Sequence, residues 1–182
     1  MKVLDLFGTL HTRRSVQPLL GEQIDVIRHK CSQFIVESKG VPVYKCLDKI
    51  CTFTKLKARV KKRSDTFSES FNNAFAPKLR QRAIYAHGGL SESLTPSYYI
   101  FPINGYKYVF NTQIENSSIY ETVYNHIDSD ELFAELLQHS YSNTNLVEGI
   151  KSGSEILFHN IPCCYAINTQ AYEQYDELLS IL

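Results

Sequence analysis

A lysine ends the apolar part of GVPVYKC (residues 40–46), a histidine precedes two glycines in AIYAHGG (83–89), and a glutamate follows the first serine of SEILFH (154–159). Lys45, His87 and Glu155 are a cation, an imidazole and a carboxylate, each at the start or end of a short apolar segment that reads as a strand. A cation at a strand end either marks where the strand reaches water or delivers positive charge to a bound anion. Glu155 fits a solvated strand start, and His87 before Gly88 and Gly89 fits a turn as well as a pocket. A second concentration of chemistry lies in ICTFTKLKARVKKR (50–63), where Lys55, Lys57, Arg59 and Lys61 fall on one parity and Leu56, Ala58 and Val60 on the other. A solvated strand face is its plain reading, and a face for an anionic partner is the sharper one. The sequence lacks G-x-x-x-x-G-K-S/T, H-E-x-x-H, G-x-S-x-G and a G-x-G-x-x-G opening a helix. His11, His29, His87, His126, His139 and His159 are scattered singly, without metal-ligand spacing.

The composition narrows the field. A chain of 182 residues favours one domain, 1–182, with a real core. Nineteen basic and 19 acidic residues balance, so no global field favours nucleic acid or membrane as the main partner. Twelve tyrosines and ten phenylalanines without tryptophan predict an aromatic core and an aromatic-lined surface. No apolar run approaches the roughly 20 residues of a membrane span, and Asp5 and Gly8 break the only signal-like segment. Five cysteines, with Cys163 and Cys164 adjacent and no paired CxxC, predict free thiols in a reducing cytoplasm rather than disulfides or zinc.

The elements that must position these residues follow from periodicity. Ile24, Ile27, Cys31, Phe34 and Ile35 predict a helix over 22–38, stopped at Gly40. A strand follows over 41–46, then the basic strand, with a bulge near Thr54 because Phe53 lies on the basic parity. Thr66 and Glu69 form a capping box ahead of the Phe67, Phe71, Phe75 stripe, which Pro77 closes. A strand over 82–87 comes next. Asn104-Gly105 then predicts a type I′ hairpin of 98–103 with 106–111, placing Tyr99, Phe101, Ile103, Tyr106, Tyr108 and Phe110 on one face. Ser129 caps a helix through Leu132, Phe133, Leu136 and Leu137, and a short helix covers 143–151. Strands at 154–159 and 161–167 precede a C-terminal helix over 168–182. Antiparallel strands and hairpins with inserted and flanking helices make an α+β fold.

The order GVPVYKC, KARVKKRSDT, FSESFNNAFAPKLRQR, AIYAHGG, YYIFPINGYKYVFN and NLVEGIKSGSEILF resembles a family of small phage-encoded proteins over about residues 25–165. That family's first segment usually reads Gly-Val/Leu-Pro-Leu/Val-Tyr-Arg-Gly, and its plan is similar to that of the mono-ADP-ribosyltransferases. The resemblance implies an ADP-ribosyltransferase-like fold and NAD as co-substrate. It implies that Lys45, with Tyr44, meets the NAD phosphates and nicotinamide ribose. It sets His87 and Gly88 where a small hydroxyl residue supports the pocket. It makes Glu155 the carboxylate that stabilises the oxocarbenium-like transition state. All three strands would then serve one cleft. This sequence departs from the pattern in having Lys45 for arginine, His87 for the hydroxyl residue, and Gly153 for an acceptor-engaging Glu or Gln. In a second register, His87-Gly88 resembles the His-Gly of poly-ADP-ribose-polymerase-like sites, with Tyr120 or Tyr124 stacking on nicotinamide.

Two functions of different class follow. One is an ADP-ribosyltransferase that modifies a host protein or nucleic acid in the host cytoplasm. The other is a non-catalytic module on the same fold, a virion component or an inhibitor that binds a host protein. Glu155 favours the first; Lys45 and Gly153 favour the second. A third reading, nucleic-acid binding through Lys55, Lys57, Arg59, Lys61, Lys62 and Arg63, is opposed by the neutral net charge.

Overall fold

The computed structural model describes residues 16–58, 66–76, 78–90, 96–112, 130–172 and 174–182. Helices α1 (Gly21–Lys30) and α2 (Ser32–Glu37) lead into β1 (Tyr44–Cys46) and β2 (Phe53–Lys57). Next come α3 (Thr66–Phe75), α4 (Leu79–Arg82), β3 (Ile84–His87), β4 (Ser97–Pro102) and β5 (Lys107–Phe110). The remainder is α5 (Asp130–Ser140), α6 (Leu146–Lys151), β6 (Glu155–His159), β7 (Cys163–Asn168), a 3-10 turn (Thr169–Ala171) and α7 (Tyr175–Ile181). The fold is α+β. Among the described residues the strands form a seven-stranded sheet in the order β2-β7-β4-β1-β3-β6-β5, every pairing antiparallel.

This order overturns the expected hairpin. β4 pairs with β1 and β7, whereas β5 pairs with β6 at the far edge of the sheet. Gly105 is in the left-handed region at φ 86°, but Asn104 is not, and a type I′ turn needs both. The asparagine is used elsewhere. The predicted single helix breaks at Cys31 (φ −122°, ψ 16°), freeing carbonyls at the end of α1 and amides at the start of α2. Asn104 N donates to Lys30 O (2.7 Å) and its Nδ2 to His29 O (3.2 Å), while Gln33 N donates to Asn104 Oδ1 (3.0 Å). Gly105 N donates to Gln33 Oε1 (2.8 Å). One loop thus caps two helix ends; Tyr99 pairs with Tyr44 and Ile167 and Phe101 with Tyr165, whereas Tyr108 and Phe110 pair with Phe158 and Ile156 of β6.

Because β1 has only three residues, β4 runs beyond it. There Phe34 of α2 makes edge contacts with Phe101 of β4 (5.9 Å between centroids) and Phe158 of β6 (6.1 Å). A second cluster packs Phe71, Leu79, Phe133 and Leu137 from α3, α4 and α5 on Val109 and Leu157. The expected stripe holds for Phe71 and Phe75, whose rings lie 4.9 Å apart. Leu136, expected inward, is exposed. Residues Phe67, Pro77, Ser129 and Leu132 lie outside the described positions or side chains.

The basic strand keeps its expected parity over the described part, with Lys55 and Lys57 exposed and Leu56 and Ala58 packed on the core. Its pairing from Phe53↔Ile167 to Lys57↔Cys163 is continuous, so the bulge at Thr54 is absent. Phe53 tolerates the exposed parity because its ring stacks on Tyr165 at 5.3 Å. Asn168 does act as a cap, its Oδ1 accepting from Gln170 N (2.9 Å), but it starts only the 3-10 turn. The expected single C-terminal helix is therefore broken at Tyr172, and α7 begins at Tyr175. All five cysteines are free; Cys31, Cys163 and Cys164 are buried, and Cys46 and Cys51 are half-buried. Burial, with Cys163 nearby, pushes the Cys31 thiol up to about 12, which leaves it unreactive. Among the described residues no helix is long and apolar enough to cross a membrane.

Candidate functional site

β1, β3 and β6 are neighbours, and their register sets Tyr44 opposite His87 and His87 opposite Glu155. Residues directly opposed in a sheet point to the same face. Tyr44, His87 and Glu155 therefore form a cross-strand row, and each is half-buried. With strands about 4.8 Å apart, the row from Tyr44 to Glu155 spans roughly 10 Å. It continues through Tyr99, paired with Tyr44, to Ile167.

The strand ends that carry His87 and Glu155 are pinned together. Gly88 N donates to Ser154 O (3.2 Å). A Cβ at Gly88 would stand 1.8 Å from the Ile150 carbonyl oxygen, so only glycine lets β3 end against the C-terminus of α6. Ser152 Oγ donates to Gly149 O (2.8 Å) and lies within hydrogen-bond reach of Ser154 Oγ (3.0 Å), which closes the turn leading into Glu155. Gly153 within that turn has φ 76°. A Glu or Gln, the residue types the resemblance leads one to expect at that position, would be strained there.

Lys45 is set differently from the expectation. It pairs with Tyr98, one step from the Tyr44 pair, so alternation directs it to the opposite face from the row. Its ammonium donates to the Tyr85 carbonyl oxygen at 2.6 Å. The charge still reaches His87. Burial lowers the His87 pKa from its ordinary 6.5, Glu155 opposes that shift, and Lys45 adds to it. His87 is accordingly a neutral imidazole at pH 7, a donor and an acceptor at once. The three strands are continuous in one sheet with β3 in the middle, so Lys45 and Glu155 are not opposite walls of a cleft between β1 and β6. A depression lined by Thr112, Asn145, Val147, Glu148, Lys151 and Ser152 lies over α6 and includes none of the row.

The basic residues are remote from this row. β2 is an edge strand five steps from β6, roughly 24 Å across the sheet. Lys55 and Lys57 are exposed there, while Arg59 and Lys61 lie outside the described residues, as do Tyr120 and Tyr124 of the second register. Among the described residues no group of three or more His, Cys, Asp or Glu is arranged for a metal ion.

Sequence reasoning did not single out Tyr99 and Tyr175. Tyr99 is 5 % exposed and Tyr175 8 %, and their rings approach to 4.9 Å, with Tyr44 at 5.6 Å from Tyr99. The only signal for them was the aromatic density of the two segments. Comparison with protein-family models, with curated proteins and with solved structures gives no match for this chain.

Proposed function

We propose that the Tyr44–His87–Glu155 row binds NAD and that the protein is an ADP-ribosyltransferase-like, phage-encoded protein that transfers ADP-ribose to a host macromolecule. The observation that carries this reading is the register: the strands that the family resemblance assigns to the site are adjacent, and two of its residues, His87 and Glu155, are directly paired. Scission of the bond between ribose C1′ and the nicotinamide nitrogen sends the bonding pair to the ring, which leaves as neutral nicotinamide. Positive charge then develops on the ribose. The Glu155 carboxylate stabilises that charge, and preorganised electrostatics of this kind typically provides the largest share of a barrier reduction. An acceptor nucleophile attacks C1′ and gives up its proton. His87, neutral and paired with Glu155, hydrogen-bonds the ribose hydroxyls and holds the carboxylate in place. Lys45 contributes through its field rather than as a forked phosphate clamp.

Engagement of the Lys45 ammonium by the Tyr85 carbonyl favours the second reading, a non-catalytic module on the same fold that is a virion component or binds a host protein. Nicotinamide release separates the two. Wild type should release nicotinamide from NAD, and Glu155→Gln, which keeps the shape and removes the charge, should slow release by about 100-fold or more with an unchanged melting temperature. Wild type that releases none leaves the binding module as the function.

A further inference from the structure

At β2 the sheet ends in an edge whose backbone groups can be assigned one by one. Asn168 N donates to Thr52 O (2.9 Å) and Ala58 N to Pro162 O (3.1 Å), so the even-numbered positions of this stretch turn their backbone groups toward β7. Antiparallel pairing alternates, and the amides and carbonyls of Phe53, Lys55 and Lys57 therefore point away from the sheet. Among the described residues no strand pairs with them. Their side chains share one face, with Lys55 and Lys57 exposed and Phe53 half-buried in its stack on Tyr165 (5.3 Å). Neither lysine has an ion pair among the described residues, and neither β2 nor β7 carries an aspartate or glutamate. The positive charge of this edge is thus uncompensated locally, although the whole chain is neutral.

We propose that β2 is a docking edge for an extended acidic segment of another protein, which adds to the sheet as a further antiparallel strand. Lysines on an edge guard it against pairing with its own copies. They do so here, because a second β2 paired antiparallel about Lys55 sets Lys55 against Lys55, and like charges directly opposite are destabilising. The same charges complement a strand with carboxylates at alternate positions. In the antiparallel sense that every pairing of this sheet follows, the partner reads acidic-x-acidic-x-apolar from its N-terminus. Its two carboxylates then lie opposite Lys57 and Lys55, and its apolar residue lies opposite Phe53. Main-chain hydrogen bonds supply the affinity in strand addition, and the alternate side chains select the partner. This edge is remote from Glu155 and does not depend on the NAD reading.

The test titrates the full chain into a fluorescein-labelled peptide, Thr-Glu-Thr-Glu-Thr-Phe-Thr, and follows fluorescence anisotropy. Binding should saturate and weaken with added salt. Methylating the peptide's backbone nitrogens at both glutamates and the phenylalanine keeps every charge but removes the amides that face β2. That peptide should bind about tenfold more weakly or worse, whereas methylation at the threonines, whose amides face away, should be tolerated. Replacing both lysines, Lys55→Gln with Lys57→Gln, should weaken the unmethylated peptide about three- to tenfold without moving the melting temperature, since both side chains are exposed. The methylated peptides probe the wild-type chain, so the result does not hang on how the double variant folds. Absence of peptide binding overturns the proposal, as does equal binding of both methylated forms, which reduces the contact to charge attraction. Tighter binding of a single-stranded oligonucleotide of the same charge, or a chain that self-associates through this edge, assigns the edge to a different partner and equally overturns it.

Discussion

Gly88 is the residue on which the geometry of the row depends most sharply. A Cβ there meets backbone, the Ile150 carbonyl at 1.8 Å, and not the movable end of a side chain. Gly88→Ala must push the end of α6 away from β3 and disturb the Ser152–Ser154 turn that leads into Glu155. The expected loss is about 2–3 kcal/mol of stability, read from urea denaturation, with Gly21→Ala as a neutral control because nothing lies within 4 Å of its Cβ. At this scale the sequence showed the chemistry-bearing residues but not their surroundings. His87 and Glu155 were visible because a polar residue at the end of an apolar segment stands out. The orientation of Lys45 was hidden because it depends on which neighbour β1 pairs with, and its acceptor is a carbonyl of another strand.

Among the elements, the junction of α1 and α2 with the Asn104-Gly105 loop shows where local signals fail. A helix-period pattern and a turn dipeptide were each strong, and each was overridden by the same tertiary contact. The apolar positions do not record that the helix breaks at Cys31, because Ile27, Cys31 and Phe34 are wholly buried whichever way the chain turns between them. Asn-Gly marks a turn correctly, but the dipeptide does not say whether the flanking strands pair with each other. Asn104→Ala should remove the shared cap of both helices and cost about 1–2 kcal/mol, measured by denaturation. The same change should leave the β4–β7 pairing intact, with amide exchange still protected at Phe101 and Tyr165. The alternation of β2 was legible because an edge strand exposes one parity to water without competition from a covering helix.

For the whole molecule, the α+β class was legible from strands and helices mixed along the chain, while the strand order was not, since all pairings are antiparallel and several orders satisfy the same patterns. The order is what assembles the row: β1, β3 and β6 come from positions 44, 87 and 155, and only tertiary structure makes them neighbours. The neutral net charge gives the molecule no long-range pull on an anionic dinucleotide, so the proposed recognition of NAD rests on the local geometry of the row. The most direct measurement of that claim is a calorimetric titration of NAD into the full chain, for wild type and for His87→Ala, the middle residue of the row. The account predicts saturable one-to-one binding by wild type, weakened about tenfold or more in the variant by loss of the imidazole's hydrogen bonds. No binding by wild type, or binding that His87→Ala leaves unchanged, would contradict it.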